Sequence, residues 1–315
     1  MRILTINPNA RRDCSYHGGP SVFLNKLIKS AHKQKLAEFV FNSEDVDAVL
    51  CLIASPHINI VKRIKARNKP IVLRLDSLYQ STQRLPVIKN MFDTADHIIY
   101  QNNYCKECVE KLAGVKDCSV IFNGDDVIRF NGTEQSYNLP GFTFVSISKW
   151  RTWKKLALSV RCIKALIDEG HDVSFLIGGN CDEMNITIED KYKDRIVKAG
   201  HIVQDLVPAF YNSGKAVLHP DKGDSCPNVV VEGVIAGLPC IVHGHGGAKE
   251  IIGDSGIALL EYNIQDYKNK MKDIINNYDM YKAKVLARRG LFDIDIISRK
   301  YIAVVQRLIS AKKKV

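Results

Sequence analysis

The chain has 315 residues, of which 46% are hydrophobic and 25% are charged, and its formal net charge is +11. This composition excludes a disordered or fibrous protein, and the length allows two domains of ordinary size. The longest apolar runs, such as residues 48–54, are too short to span a membrane as a helix. No secretion signal precedes the first apolar strand, so the nine cysteines are expected to be free thiols in a cytoplasmic protein.

The positive charge is compatible with a nucleic acid, an anionic membrane surface or a ligand that carries a diphosphate. Lysine and arginine are spread along the chain, and the only dense run is Lys312-Lys313-Lys314. Because no recognisable nucleic-acid module is present, we predict no nucleic-acid partner. Peripheral contact with an anionic membrane stays possible through the basic tail. Cys105 and Cys108 have C-x-x-C spacing, but no second ligand pair follows, so we expect no metal there.

Apolar strands alternate with helical patterns in the first part of the chain. The predicted strands are 3–6, 49–53, 71–75, 97–101 and 119–122, and the helical patterns lie near 21–33, 57–67, 86–94 and 103–113. This alternation predicts a parallel sheet that is covered on both faces. A turn signal, Asn123-Gly124-Asp125, ends the series, and the polar segment 126–140 is predicted to be a linker.

A second series of the same kind follows the linker. Its predicted strands are 142–147, 173–177, 201–202, 216–219 and 240–243, and its helices lie near 154–168, 205–212, 228–236, 264–276, 280–288 and 294–310. The two series predict an α/β protein with two Rossmann-like, doubly wound parallel-sheet domains that face each other across a cleft. Ligands of such sheets lie outside the carboxyl ends of the strands.

The segment 224–252 reads DSCPNVVVEGVIAGLPCIVHGHGGAKEII and carries the most specific motif. Asp224 and Glu232 bracket the start of a predicted helix, and a Gly-x-Pro break, an apolar strand and a Gly-Gly turn follow. A helix N-terminus suits a phosphate, because it presents backbone N–H groups and the positive end of the helix dipole. The flanking carboxylates suit sugar and ribose hydroxyls. The pattern therefore predicts a nucleotide-sugar site.

This segment resembles the donor-binding domain of retaining glycosyltransferases of family 4, which have the GT-B fold and belong to the group 1 glycosyl transferases. The family usually has Glu where this chain has Asp224, beside the donor sugar. The resemblance implies that Glu232 holds the ribose, and that Ser225, Asn228 and Val229 contact the donor. It also implies an N-terminal domain of residues 1–128, on which a final helix of about 297–315 packs, and a donor domain of residues 141–296.

The turn after the strand 142–147 reads SKWRTWKK, at the place where the family has Gly-Arg-x-x-x-x-Lys-Gly. The resemblance assigns Lys149 and Lys154 to the donor diphosphate, where two cations stabilise the charge of the leaving group. No essential metal and no cofactor are therefore expected. We predict that Trp150 and Trp153 are packing residues.

Weaker motifs complete the predicted site. The resemblance places Gly18 and Gly19 opposite the donor and His201-Ile202 against the nucleobase, and Gly178 lies at a strand end that can admit a nucleotide. Asp76 follows the strand 71–75. It is a candidate to accept a hydrogen bond from a sugar hydroxyl or the proton of the acceptor, or simply to cap the next helix.

The function predicted from these residues is a metal-independent, retaining transfer of a sugar from a nucleoside diphosphate sugar to a hydroxyl of a glycan, lipid-linked or small-molecule acceptor. Three alternatives stay open. One is a sugar-nucleotide epimerase or hydrolase on the same fold. Another is a catalytically weak nucleotide-sugar-binding protein, because Asp224 is one methylene shorter than the usual Glu. The third is a basic protein that binds nucleic acid or membrane.

Overall fold

The computed structural model describes residues 1–6, 19–52, 58–76, 85–184 and 186–314. Gly18 lies outside the described residues. The chain forms two compact units, one made of Met1–Asp125 with Phe292–Val315 and the other of Asp126–Leu291. In the described part of the chain, no helix combines the length and the apolar character that a membrane span requires.

The N-terminal unit is built on a six-stranded sheet. Its strands are β1 (Arg2–Ile6), β2 (Glu38–Val40), β3 (Ala48–Leu52), β4 (Ile71–Leu75), β5 (His97–Tyr100) and β6 (Cys118–Val120). The strand order is β2-β1-β3-β4-β5-β6, and every pairing is parallel. Its first helices are α1 (Gly19–Lys33), α2 (Ile58–Ala66), α3 (Leu85–Thr94) and α4 (Asn103–Ala113). All residues of β3 and β4 are buried, as expected of parallel strands with helices on both faces.

The C-terminal unit repeats this plan with a second six-stranded parallel sheet. Its strands are β7 (Phe142–Ile147), β8 (Val173–Gly178), β9 (Ile196–Gly200), β10 (Ala216–His219), β11 (Cys240–His243) and β12 (Ile257–Leu259). Its helices are α5 (Leu156–Asp168), α6 (Val207–Asn212), α7 (Asn228–Ile235), α8 (Ala248–Ile252), α9 (Ile264–Asn276) and α10 (Tyr278–Arg288). The order is β12-β11-β10-β7-β8-β9. The chain therefore adds β8 and β9 on one side of β7, and then adds β10, β11 and β12 on its other side.

The last helix, α11 (Ile294–Lys312), belongs to the N-terminal unit and packs on α1. The rings of Tyr301 and Phe23 lie 5.7 Å apart, centroid to centroid, within a core that also includes Ile297 and Val305. The backbone of Asp125 fixes the start of this helix. Its N–H donates to the Phe292 carbonyl at 3.1 Å, and its carbonyl accepts from the Ile294 N–H at 3.0 Å.

The predicted α/β class with two doubly wound parallel sheets is confirmed. Two strands escaped the sequence analysis, β2 and β12, which are three-residue strands at the sheet edges. The predicted strand 201–202 is wrong, because β9 ends at Gly200 and these residues follow it. The error has a physical cause: β9 carries a half-exposed edge face, so its apolar pattern is weak.

Gly124 is packed so tightly against the start of α11 that we predict a large cost for a side chain there. An added Cβ would lie 2.5 Å from both the Phe292 carbonyl oxygen and Ile297 Cδ1. We expect Gly124→Ala to lower the free energy of unfolding of the N-terminal unit by about 1–3 kcal/mol, the usual cost of overpacking. Gly132→Ala is the matched control, since a Cβ there meets no atom within 4 Å. Urea unfolding with equal midpoints for the two variants would contradict this packing.

Candidate functional site: the carboxyl ends of β7 and β10

The turn after β7 and the loop after β10 meet at one edge of the C-terminal sheet. β7 pairs in parallel with β10, with Ala216 opposite Phe144 and Val217 opposite Val145. From β7 the sheet continues through β8 to β9, and from β10 it continues in the opposite direction through β11 to β12. Such a topological switch point leaves a crevice outside the strand ends, where open α/β sheets bind their ligands. The segments 148–155 and 220–227 therefore form the candidate site.

The turn after β7 is held in shape by a buried tryptophan. The Trp150 indole N–H donates to the Gly178 carbonyl at 2.8 Å, and Trp150 is only 4% exposed. A short 3-10 turn, Thr152–Lys154, follows. Lys155 then takes a left-handed conformation with a φ of 56°, and α5 starts at the next residue. This geometry projects Lys154 toward β10 and leaves Lys149 exposed.

Lys154 meets two carboxylates from the loop after β10. Its Nζ lies 3.3 Å from Asp221 Oδ2 and 3.9 Å from Asp224 Oδ2. The Asp221 side chain is 5% exposed and that of Asp224 is 31% exposed. His219, the last residue of β10, completes the cluster, with its Nε2 at 3.9 Å from Asp224 Oδ2. The predicted residues Lys154 and Asp224 are thus brought together, and Asp221 joins them.

Burial sets the protonation of this cluster. It raises the pKa of Asp221 above its ordinary value, and the Lys154 ammonium opposes that shift. Burial also holds the pKa of His219 well below its ordinary value, and Lys154 acts in the same direction. His219 is therefore a neutral imidazole at neutral pH. The positive charge between the carboxylates comes from Lys154.

The same side chains form a donor set of the type that binds divalent cations. One ligand atom from each of His219, Asp221 and Asp224 lies within 4.8 Å of the others. An imidazole and two carboxylates suit several divalent metals. Lys154, however, already places its ammonium against both carboxylates. A metal ion bound to these carboxylates would have to displace that charge.

The Gly-Gly turn of the sequence motif supports the loop that carries Asp224. The Gly247 N–H donates to the Asp224 carbonyl at 2.9 Å, and the Gly223 N–H donates to the His245 carbonyl at 2.8 Å. Gly246 has a φ of 139°, and a Cβ there would lie 3.0 Å from the Asp224 carbonyl oxygen. The glycines after β11 are therefore needed for close backbone approach to the Asp224 loop.

The helix α7 begins at Asn228, as predicted, directly after the Asp224 loop. Ser225 and Val229 are buried at its start, and Asn228 is half-buried. Glu232 lies one turn further on and is 8% exposed. The Tyr211 hydroxyl, from α6, lies 3.2 Å from Glu232 Oε2 and 3.1 Å from the Val229 carbonyl. A buried carboxylate is thus anchored beside a helix N-terminus that suits an anion.

His201 and Ile202 follow β9 and line a cavity of about 300 Å³. Its other lining residues are Ser136, Tyr137, Ala199, Val203 and Leu206. His201 is exposed and Ile202 is half-buried. The Ser213 hydroxyl accepts from the backbone N–H groups of Ser136 and Tyr137, both at 3.0 Å. The segment 126–140, predicted as a linker, therefore contributes a wall of this cavity and belongs to the C-terminal unit.

The two glycines at the end of β8 have a packing reason of their own. A Cβ at Gly178 would lie 2.9 Å from Phe210 Cζ, and one at Gly179 would lie 1.9 Å from the Ser148 carbonyl oxygen. Gly179 also has a φ of 89°. These glycines let the end of β8 pass close to the turn that carries Lys149 and Lys154. This packing is a reason for glycine that is separate from the predicted contact of Gly178 with the donor.

In the N-terminal unit, Asp76 is held by a fully buried arginine. Arg74 donates from Nη1 to Asp76 Oδ1 and from Nη2 to Asn123 Oδ1, both at 2.7 Å. Its guanidinium carbon lies 4.6 Å from the centre of the Phe23 ring. Burial raises the pKa of Asp76, and Arg74 opposes the shift. Gly19 is exposed at the start of α1. The bond from Arg74 shows what orients Asp76, and its chemical role stays a prediction.

His219, Asp221 and Tyr211 were not identified as site residues by the sequence analysis. Asp221 follows the predicted strand 216–219 by two residues. It could have been identified because ligands of parallel sheets lie outside the carboxyl ends of the strands. Tyr211 had no local signal, because its contact with Glu232 depends on how α6 and α7 pack. The prediction that Trp153 is a packing residue is wrong, since it is 46% exposed.

Comparison with known proteins identifies the class of the C-terminal unit. Residues 140–277 match the family model described as glycosyl transferases group 1. This segment contains Lys149, Lys154, Asp224 and Glu232. The C-terminal unit is therefore similar to the group 1 glycosyltransferases, in agreement with the predicted class. The assignment to family 4 stays a prediction.

Individual relatives agree with this class. The 2-deoxystreptamine glucosyltransferase of Streptomyces kanamyceticus is 28% identical over 106 residues, which span 32% of this chain and 27% of that protein. The chain thus aligns with only about a quarter of this curated relative's length.

Solved glycosyltransferase structures share the fold over nearly the whole chain. Anabaena HepE in complex with UDP has a TM-score of 0.74 at 16% identity, covering 97% of this chain and 99% of that one. A glycosyltransferase from Rickettsia africae has a TM-score of 0.76 at 14% identity and covers 98% of each chain. Sucrose-phosphate synthase from Thermosynechococcus elongatus has a TM-score of 0.74 at 14% identity, covering 98% and 99%. The fold is that of the GT-B glycosyltransferases.

We predict that Tyr211 contributes to stability through its hydroxyl. Tyr211→Phe removes the hydrogen bonds to the Val229 carbonyl and to Glu232. Because both acceptors are buried, we expect a loss of about 1–3 kcal/mol in the free energy of unfolding of the C-terminal unit. Tyr278→Phe is the control, since this half-buried ring packs edge-on against Phe142 through apolar contact. Equal urea midpoints for the two variants would show that the Tyr211 hydroxyl bonds are not stabilising.

Proposed function

We propose that this protein transfers a sugar from a nucleoside diphosphate sugar, with UDP as the nucleotide, to an acceptor hydroxyl. One observation carries the proposal. At the switch point of the unit that matches the family, Lys154 lies beside Asp224, in front of the start of α7. A cation, a carboxylate and a helix N-terminus are the parts that a diphosphate joined to a sugar needs.

Most of the predicted site residues have a specific role in this proposal. Lys149, Lys154 and the start of α7 at Asn228 bind the diphosphate, and Asp224 contacts the donor sugar. The anchored carboxylate of Glu232 accepts hydrogen bonds from the ribose hydroxyls.

The nucleobase lies against His201 and Ile202, whose cavity of about 300 Å³ supports this placement. UDP is the proposed nucleotide because the fold is shared with HepE, whose structure was solved with UDP. In the N-terminal unit, Asp76 accepts a hydrogen bond from a sugar hydroxyl, and Gly18 and Gly19 allow a ligand to approach the backbone closely.

The proposed reaction retains the anomeric configuration and needs no metal. Lys154 supplies positive charge where the leaving diphosphate gains negative charge, which is the task that a divalent ion performs in other transferases. The leaving phosphate itself takes the proton of the acceptor hydroxyl on the same face of the sugar. Burial holds the pKa of His219 well below its ordinary value, so its imidazole is a weak base, which supports a site without a strong protein base.

The acceptor is proposed to be a glycan, a lipid-linked sugar or a small molecule. The basic end of α11, Lys312-Lys313-Lys314, supports a peripheral contact with anionic lipid. Free thiols at Cys51, Cys162 and Cys240 support a reducing, cytoplasmic setting.

Nucleotide binding tests the donor site directly. We expect UDP at a hundred times its dissociation constant to stabilise the protein by about 2.7 kcal/mol, more than GDP, ADP or CMP at the same concentration. Lys154→Ala and Glu232→Ala should each reduce this thermal shift. Lys193→Ala, an exposed lysine of the same unit with a 64% exposed side chain, should retain it. The absence of a shift with every nucleotide would reject the proposal.

Metal independence and retention have their own test. With a UDP-sugar donor and an accepted hydroxyl compound, we expect the initial rate with 5 mM EDTA, roughly the usual excess of chelator, to equal the rate with added Mg²⁺ or Mn²⁺. NMR of the first product formed should show the anomeric configuration of the donor. Loss of activity in EDTA, restored by a divalent ion, would assign the cation role to a metal at His219, Asp221 and Asp224 instead of Lys154.

A further inference from the structure

Asp221 differs from Asp224, the other carboxylate that contacts Lys154, because its side chain is buried. Its side chain is 5% exposed, whereas that of Asp224 is 31% exposed. Its Oδ2 lies 3.3 Å from Lys154 Nζ, closer than the 3.9 Å of Asp224. Asp224 is therefore open to a ligand, and Asp221 is directed to the lysine.

A carboxylate partner such as Asp221 restricts the flexible side chain of a lysine. Its ammonium is a point charge on a flexible four-carbon stem, and fixing such a side chain costs up to about 2 kcal/mol of rotamer entropy. The Lys154 side chain is 17% exposed, and its ammonium is paired with the Asp221 carboxylate. When the side chain is fixed before the ligand arrives, binding no longer includes that cost.

We infer that Asp221 is a positioning residue that holds the Lys154 ammonium in the orientation that receives the donor diphosphate. This inference rests on the proposed function, since it gives Lys154 a phosphate to bind. The residue acts through Lys154 and makes no contact with the donor.

Asp221 has a second, opposing effect on any diphosphate. It is an anion near the phosphates, so its removal also relieves repulsion and strengthens binding. Removing Lys154 distinguishes the two effects of Asp221 on diphosphate binding. With the lysine present, loss of Asp221 weakens binding through a mobile ammonium. Without the lysine, only the relief of repulsion remains.

The experiment is a double-mutant cycle with UDP as the ligand. The dissociation constant is measured by calorimetry at fixed ionic strength for the wild type, Asp221→Ala, Lys154→Ala and the double variant. We expect Asp221→Ala to weaken UDP binding on the order of threefold to tenfold, the range of coupling between contacting residues. In the Lys154→Ala background the same change should leave binding equal or tighter.

Rescue by a conservative variant distinguishes positioning from general damage. Asp221→Asn retains an oxygen that accepts from Lys154, so we expect binding within about twofold of the wild type or tighter. Asp190→Ala, at a carboxylate that is 93% exposed, is the control and should change nothing. If Asp221→Ala does not fold, as judged by its thermal transition, Asp221→Ser replaces it in the same cycle.

The possible outcomes are distinct. Tighter binding on loss of Asp221 in both backgrounds would show that the residue only repels the ligand, and equal weakening in both would show damage to the loop. Either result overturns the inference while leaving the donor site intact, provided that Lys154→Ala still weakens UDP binding. A wild-type protein that does not bind UDP would overturn both the inference and the proposed function.

Discussion

The parallel pairing of β7 with β10 decides which side chains meet in the C-terminal unit. These strands are not consecutive in the chain, and β8 and β9 lie between them in sequence. Because both strands point the same way, the segments that follow them emerge side by side. Lys154 and Asp221 are 67 residues apart in the chain and become neighbours through this pairing alone. The cluster of a cation and two carboxylates is a consequence of the sheet order.

Tight backbone packing fixes the conformation of the segments that follow β7 and β10. The segment after β7 is held by the Trp150 indole N–H, which donates to the Gly178 carbonyl. The segment after β10 is held by the Gly247 N–H, which donates to the Asp224 carbonyl. Loops that bear binding residues are ordinarily the mobile part of a domain. Here buried hydrogen bonds and glycines without room for a Cβ hold them against the rigid sheet. Groups that are held in this way need less reorganisation when a ligand arrives.

Much of this architecture could be predicted from sequence, and the remainder shows where local patterns stop being informative. The alternation of apolar strands such as Ala48–Leu52 with amphipathic helices was sufficient for the fold class. The start of α7 at Asn228 and the proximity of Lys154 to Asp224 were also accessible, through a motif that resembles a known family.

Edge strands and contacts across the sheet were not accessible in the same way. β2 and β12 have three residues each, too few to show a period. Asp221 has no motif of its own, and its pairing with Lys154 requires the sheet order, which no local pattern contains. Tyr211 likewise reaches Glu232 only after α6 and α7 have packed.

The return of α11 to the first sheet has a consequence for the order in which the protein can fold as it is made. Ile297, Tyr301 and Val305 belong to the core formed by Phe23 and β3, yet they follow the whole C-terminal unit in the chain. The C-terminal unit, Asp126–Leu291, has all its strands before α11 leaves the ribosome, so it can be complete while the N-terminal unit still exposes an apolar face on α1. Until α11 packs against it, that face is open to association with other chains. The second unit in the sequence is thus able to be the first to finish.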